Sequence, residues 1–249
     1  MVRAHDPEAT LALLWDGPAR PRRGPRHNLT VEEIVDAATR VVEEEGVGAL
    51  SMRGVAALLG VGAATLYTYV PGKAALVALM VDTMIGRAPL PHTRPGTWRE
   101  KVRSWAHEDL RSYREHPWLI ELTATGQPVG PHAFAWTDSA LRIFEGTGLT
   151  AHEALTVVET VDGYIRGHAA KVIRADRSRE RTTPDGRTWN TVQEAFLATR
   201  AGETGRYRAI EGLDTDGPDP HEVFAQGLEW LLEGVESRVR VASEPGKSP

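Results

Sequence analysis

The chain has 249 residues, 41% of them hydrophobic and 25% charged, enough for one large domain or two small ones, each with its own buried core. A formal net charge of -5 excludes a general polyanion binder, so any nucleic-acid contact has to be local. There is no cysteine, which excludes a disulfide scaffold and a cysteine-based zinc site and suits a reducing cytoplasm.

Residues 1–29 read as a flexible basic extension. Within it, "EATLALLW" offers one or two amphipathic turns around Leu11, Leu14 and Trp15. "PARPRRGPRHN" then sets Arg20, Arg22, Arg23 and Arg26 among proline and glycine with no acid. This cluster is either a solubilising tail or an arm for a minor groove or phosphates. No apolar run approaches the ~20 residues that span a bilayer, and the N-terminus lacks the apolar stretch of a signal peptide. The expectation is a cytoplasmic protein with no membrane partner.

Regular structure is expected from Thr30. "TVEE" is a capping box, and Ile34, Ala37, Ala38, Val41 and Val42 follow at helical spacing until Gly46 stops the helix. Glu43, Glu44 and Glu45 read as its solvated end. Ser51 caps a second helix carrying Met52, Val55, Ala56, Leu58 and Leu59. A turn at Gly60-Val61-Gly62 leads to a third, from Ala63 to about Tyr69, which Pro71 ends by disfavouring helical geometry at Val70. A fourth runs from about Lys73 to Gly86, and "GRAPLPHTRPGT" reads as a linker. Beyond it, helices are expected over 97–115, 118–125, 131–147, 151–176, 186–201 and 220–241, with 202–219 loop-like. No alternating β pattern of useful length and no internal repeat occurs. The fold class is therefore all-α, with domains over 30–87 and 97–241 and a flexible tail over 242–249.

The second and third helices, joined by a tight glycine turn, form a helix-turn-helix whose second helix can enter a major groove. Gly62, Ala63 and Ala64 let its backbone come close to base edges. Thr65 and Thr68 can exchange hydrogen bonds there and touch a thymine methyl, and Arg53 can fork onto a guanine edge. Tyr67 and Tyr69 carry hydroxyls suited to phosphate oxygens, although Tyr67 can equally be partly core. Lys73, with the free N–H groups at the start of the fourth helix, can hold another phosphate.

"GALSMRGVAALLGVGAATLYTYVPGKAALVALMVD" resembles the DNA-binding signature of the TetR family of bacterial transcriptional repressors, through Ser51-Met52-Arg53, Val55-Ala56, Leu59-Gly60-Val61, Leu66-Tyr67, Tyr69, Lys73 and Leu76. "TWREKVRSWAHEDLRSYREHPWLIEL", "DGYIRGH" and "FAQGLEWLLEGVESRV" are similar to the subgroup with a tetracycline-repressor-like regulatory domain. The resemblance implies Arg53, Thr65 and Thr68 toward bases, and Tyr67, Tyr69 and Lys73 toward phosphates. The arm with Arg22, Arg23 and Arg26 would lie alongside. It also implies a homodimer on a double-stranded operator, released by a small-molecule effector.

In the C-terminal half, Trp98, Val102, Trp105, Asp109 and Tyr113 share one helical face. Asp109 is either a boundary carboxylate reaching water or a polar anchor in an aromatic-walled cavity for a ligand amine or hydroxyl. Trp118, Trp136, Phe144, Tyr164, His168, Trp189 and Phe196 are candidates for the same space, with His168 alternatively a bonded core residue. Gly163 and Gly167 permit close helix approach. Phe224, Leu228, Leu231, Leu232, Val235 and Val239 form a stripe for core or for a partner chain. His152-Glu153 lacks a second histidine at metal-binding spacing, and no Gly-rich phosphate loop occurs. No metal, cofactor or catalysis is expected. The alternative reading is a helical small-molecule-binding protein or enzyme that keeps the N-terminal bundle as scaffold.

Overall fold

The computed structural model describes residues 6–17, 29–123, 126, 128–180, 187–202 and 219–243, and every element among them is helical. In chain order the α-helices are α1 (Pro7–Asp16), α2 (Val31–Glu45), α3 (Met52–Leu58), α4 (Ala63–Tyr69), α5 (Lys73–Arg87), α6 (Trp98–Glu115), α7 (Trp118–Thr123), α8 (Pro131–Arg142), α9 (Ala151–Glu180), α10 (Trp189–Gly202) and α11 (Pro220–Ser243), with short 3-10 turns at Val47–Ala49 and Pro91–Thr93. Two compact units, Met1–Val158 and Glu159–Pro249, divide within α9. The expected loop at 203–218 and the tail at 244–249 lie outside the described residues.

Local chemistry sets the helix starts. The Thr30 hydroxyl accepts from the Glu33 amide at 3.1 Å while the Glu33 carboxylate accepts from the Thr30 amide at 2.9 Å, completing the capping box of α2. Thr97 and Glu100 repeat the device at α6, and the Thr97 amide holds the Glu100 carboxyl below the usual carboxylate range.

The core of the first unit gathers Ile34, Val42, Val55, Leu66, Val70, Leu76 and Met80, together with Trp118, Leu119 and Leu122 of α7. The amphipathic turns expected near the N-terminus form the full helix α1, which packs on α5. Its buried side is Thr10, Leu13 and Leu14, whereas Leu11 and Trp15 are exposed. The flexible-extension reading therefore missed a helix. It also missed a long-range bond: Trp15 donates its indole N–H to the Val129 carbonyl at 3.1 Å and meets the Phe134 ring edge-on.

Three further expectations change. The segment read as a linker is strapped down. Pro91 is buried, the His92 amide donates to Ser139 Oγ at 3.0 Å, and Lys101 donates to the His92 carbonyl at 2.9 Å. Glu43 does not simply face water, since its carboxylate lies 2.9 Å from His116 Nδ1. The stretch Lys73–Thr93 is, by length and a mean hydropathy of 1.3, apolar enough to cross a membrane, contrary to the sequence expectation. Its residues 75–82 are buried in the bundle, which accounts for the apolar run.

Candidate nucleic-acid interface

α3 begins at Ser51, whose hydroxyl accepts from the Gly54 amide at 3.1 Å. It ends in a Schellman motif: the Gly60 amide donates to the Ala57 carbonyl at 3.1 Å and the Val61 amide to the Ala56 carbonyl at 3.0 Å. Gly60 sits at φ 68, the left-handed region where a side chain is strained. The chain thus reverses within four residues, and α4 starts at Ala63.

Burial then decides what α4 presents. Leu66 is fully buried and Tyr69 is packed against the core, while Ala64, Thr65, Tyr67 and Thr68 are exposed. Of the two readings of Tyr67, the structure gives the exposed one, with 52% of its surface free. Tyr69 is the half-buried tyrosine. Thr68 Oγ1 donates to the Thr65 carbonyl at 2.6 Å, which orients its methyl and lone pairs. Arg53 stands exposed one residue into α3. Val70 is buried, which anchors the end of α4 in the same core as Leu76 of α5.

α5 starts at Gly72 with no side-chain cap, so its first-turn N–H groups are open to an anion beside the exposed Lys73. Arg20, Arg22, Arg23 and Arg26 lie outside the described residues.

The aromatic residues expected to share one cavity divide among several settings. Trp118 is buried in the core of the first unit, and Tyr113 packs against that core. Trp105, fully buried, meets Trp136 edge-on at 5.1 Å and donates its indole N–H to Asp109 Oδ2 at 2.5 Å. Asp109 is therefore bonded into the aromatic face. Trp98 lies 5.9 Å from Phe144. In the second unit, Tyr164 stacks on Phe224 at 5.3 Å and donates to the Phe224 carbonyl at 2.9 Å, with His168 5.1 Å from the same ring. Burial holds the His168 imidazole below its ordinary pKa, with the Pro220 backbone acting in the opposite direction, and Nε2 is buried without a partner. Phe196 is exposed beneath Arg200, and the Trp189 side chain lies outside the described residues.

Phe224, Leu228 and Leu232 are fully buried, whereas Leu231, Val235 and Val239 are half-buried and Trp230 is exposed. The α11 stripe thus splits between core and surface. Among the described residues, no group of three or more His, Asp or Glu side chains is placed to hold a metal ion.

The chain matches the family model for bacterial regulatory proteins of the tetR family over residues 34–80 and that for the tetracyclin repressor-like C-terminal domain over residues 90–239. It is 37% identical over 247 residues to the HTH-type transcriptional repressor DrrR1 of Streptomyces coeruleorubidus, covering 96% of this chain and 88% of that one. It is 26% identical over 212 residues to the tetracycline repressor protein class A from transposon 1721 of Escherichia coli, covering 82% and 89% of the two chains. Its fold is similar to that of the TetR family protein ActR from Streptomyces coelicolor in complex with actinorhodin, with a TM-score of 0.71 at 24% identity, covering 85% of this chain and 97% of that one.

Proposed function

This chain belongs to the TetR family of bacterial transcriptional regulators, and from that premise we propose that it is a homodimeric repressor released from a palindromic operator by a small-molecule effector. The reading head is residues 30–87, and residues 97–241 form the ligand-binding and dimerisation domain. The observation that carries the reading is the exposure pattern of α4: one buried leucine holds it in the core, and the residues beside it on the outside are small or hydrogen-bonding. Arg53, Thr65 and Thr68 face base edges. Tyr67, Tyr69, Lys73 and the α5 amides hold phosphates, which fix register without reading sequence.

Arg22, Arg23 and Arg26 act as a basic arm that adds salt-sensitive affinity. The exposed Trp230, the half-buried Leu231, Val235 and Val239, and the glycines Gly163 and Gly167 on the exposed side of α9 support pairing with a second copy. Two heads related by a twofold axis then sit about 34–36 Å apart, one turn of DNA, in the bound state. The structure of ActR in complex with actinorhodin supports a small-molecule effector for this chain too, with the Trp105–Trp136 pair and Asp109 as candidate contacts. The effector has to bind the released and DNA-bound states with different affinity, otherwise nothing shifts. Such a regulator works in the cytoplasm, where its DNA is.

Titration of the purified protein against the DNA flanking its own gene, with the mass of the complex measured in solution, tests this. A dimer bound to a twofold-symmetric site is the expected result. A monomer on DNA, or no preference over unrelated DNA, overturns it.

A further inference from the structure

The head is joined to the rest of the first unit where α5 packs on α8, around a buried carboxylate. Asp82 lies in the apolar run of α5 and is only 5% exposed. α8 begins at Pro131 after Gly130, which offers no side-chain cap. The Asp82 carboxylate supplies the cap from across the interface. It accepts from the Ala133 amide at 3.0 Å, from the His132 amide at 3.3 Å, and from His132 Nδ1 at 2.9 Å. A negative charge at a helix start also meets the positive end of the α8 dipole.

Two glycines make this approach possible. A side chain at Gly130 would collide with the Asp82 carboxylate, and a methyl at Gly86, one turn along α5, would come within 2.6 Å of His132 Cδ2. Neither glycine adopts the left-handed conformation, so space is what each position requires. Four residues on two helices are thus shaped for one junction.

α5 carries the head. It follows α4 after only Val70, Pro71 and Gly72, and it shares the core of Leu66 and Val70. From Lys73 to Asp82 is roughly 13 Å of rigid helix. We propose that Asp82 is a positioning residue for DNA recognition: by capping α8 it fixes α5, and with it α4, in the orientation that matches base edges. This rests on α4 being the reading helix. Base readout needs placement within about 0.5 Å, whereas long phosphate-binding side chains tolerate more. The junction therefore acts on the preference for a specific site over unrelated DNA.

In vitro selection with the wild-type protein supplies a specific duplex, and a scrambled duplex of the same composition is the second probe. Asp82→Ala, and independently Gly130→Ala, are expected to lower the ratio of the two affinities about fivefold or more. Affinity for the scrambled duplex should stay unchanged, and Asp82→Asn, which keeps one acceptor, should fall between. The double variant should lose no more than the worse single, because both break one contact. Gly86→Ala should impair the wild type and be harmless in the His132→Ala background. An unchanged ratio, or an equal loss on both probes as a smaller folded fraction would give, overturns the inference while leaving the DNA-reading role standing. Failure of the wild type to enrich any duplex overturns that role and this inference with it.

Discussion

The reading surface and the α5–α8 junction use polar side chains in opposite ways. On α3 and α4, Arg53, Thr65, Tyr67 and Thr68 are exposed and contribute little to holding the bundle together. At the junction the Asp82 carboxylate is buried, and three donors from α8 satisfy it. The first arrangement keeps hydrogen-bonding capacity open to a partner, apart from the Thr68 proton given to the Thr65 carbonyl. The second spends all of it inside the protein, since a buried charge without donors would be strongly destabilising. Exposed residues can therefore change what is bound without changing stability, and junction residues cannot.

The largest expected effect lies at the junction. Asp82→Ala leaves two α8 amides and an imidazole N–H without their acceptor, at a cost of about 2 kcal/mol. For a unit of this size, thermal melting should show a Tm lower by roughly 4–8 °C. The contrast would break if Asp82→Ala melted like wild type.

The counterpart on the reading surface is Arg53→Ala. It should leave Tm unchanged, because the side chain is exposed. It should relax base preference at one position by about 1–3 kcal/mol, measured by titration against single-base variants of the selected site. A lowered Tm with intact preference would reverse the two roles.

Gly60→Ala sharpens the comparison from within the motif. It places a side chain at φ 68 in the Schellman turn and should cost about 1 kcal/mol by denaturant unfolding. No Cβ clash adds to this, since nothing lies within 4 Å of that position. Lys73→Ala should be nearly silent in stability and weaken all duplexes alike. It should reduce the slope of log affinity against log salt by about one.

The smallest effect belongs to His168, where burial keeps the folded-state pKa below the unfolded value. Between those two values the unfolded chain binds more protons, so stability rises with pH there. It is lost as pH falls through the ordinary histidine range, near 6.5, toward the lower folded-state pKa. His168→Gln should flatten this part of the melting-temperature profile, and an unchanged profile would remove His168 from the account.

The reading motif was legible in the sequence because its rules are local. Ser51, Gly60 and Pro71 lie within a few residues of the bonds and turns they create, and the Thr30–Glu33 box spans one turn. The aromatic residues of the second half were not legible in the same way. Trp118 and Tyr113 carry no sign in their spacing that they pack into and against the core of the first unit, nor Trp105 that it pairs with Trp136. Of the three residues read as the apolar side of α1, Leu14 is buried whereas Leu11 and Trp15 are exposed. Trp15 is half exposed, and its indole N–H is taken by Val129, 114 residues away. Asp82 did leave a signal, a lone carboxylate in "VALMVDTMI", but its partners at 130–133 are set by tertiary packing alone. The basic arm also needs a different test from simple truncation. A chain starting at His27 would lose Leu13 and Leu14 from the core. Arg22, Arg23 and Arg26 should be changed to alanine in the full chain instead, and reduced affinity with a shallower salt slope is expected.

The most direct test of the central claim, that α4 reads sequence, is selection of binding sites from a random duplex pool with the wild type and with Thr65→Ala/Thr68→Ala. The account predicts a twofold-symmetric site for the wild type, and a selected site from the variant that has lost preference at the same one or two positions in each half. Identical sites from both proteins, or no enrichment by the wild type, would contradict it.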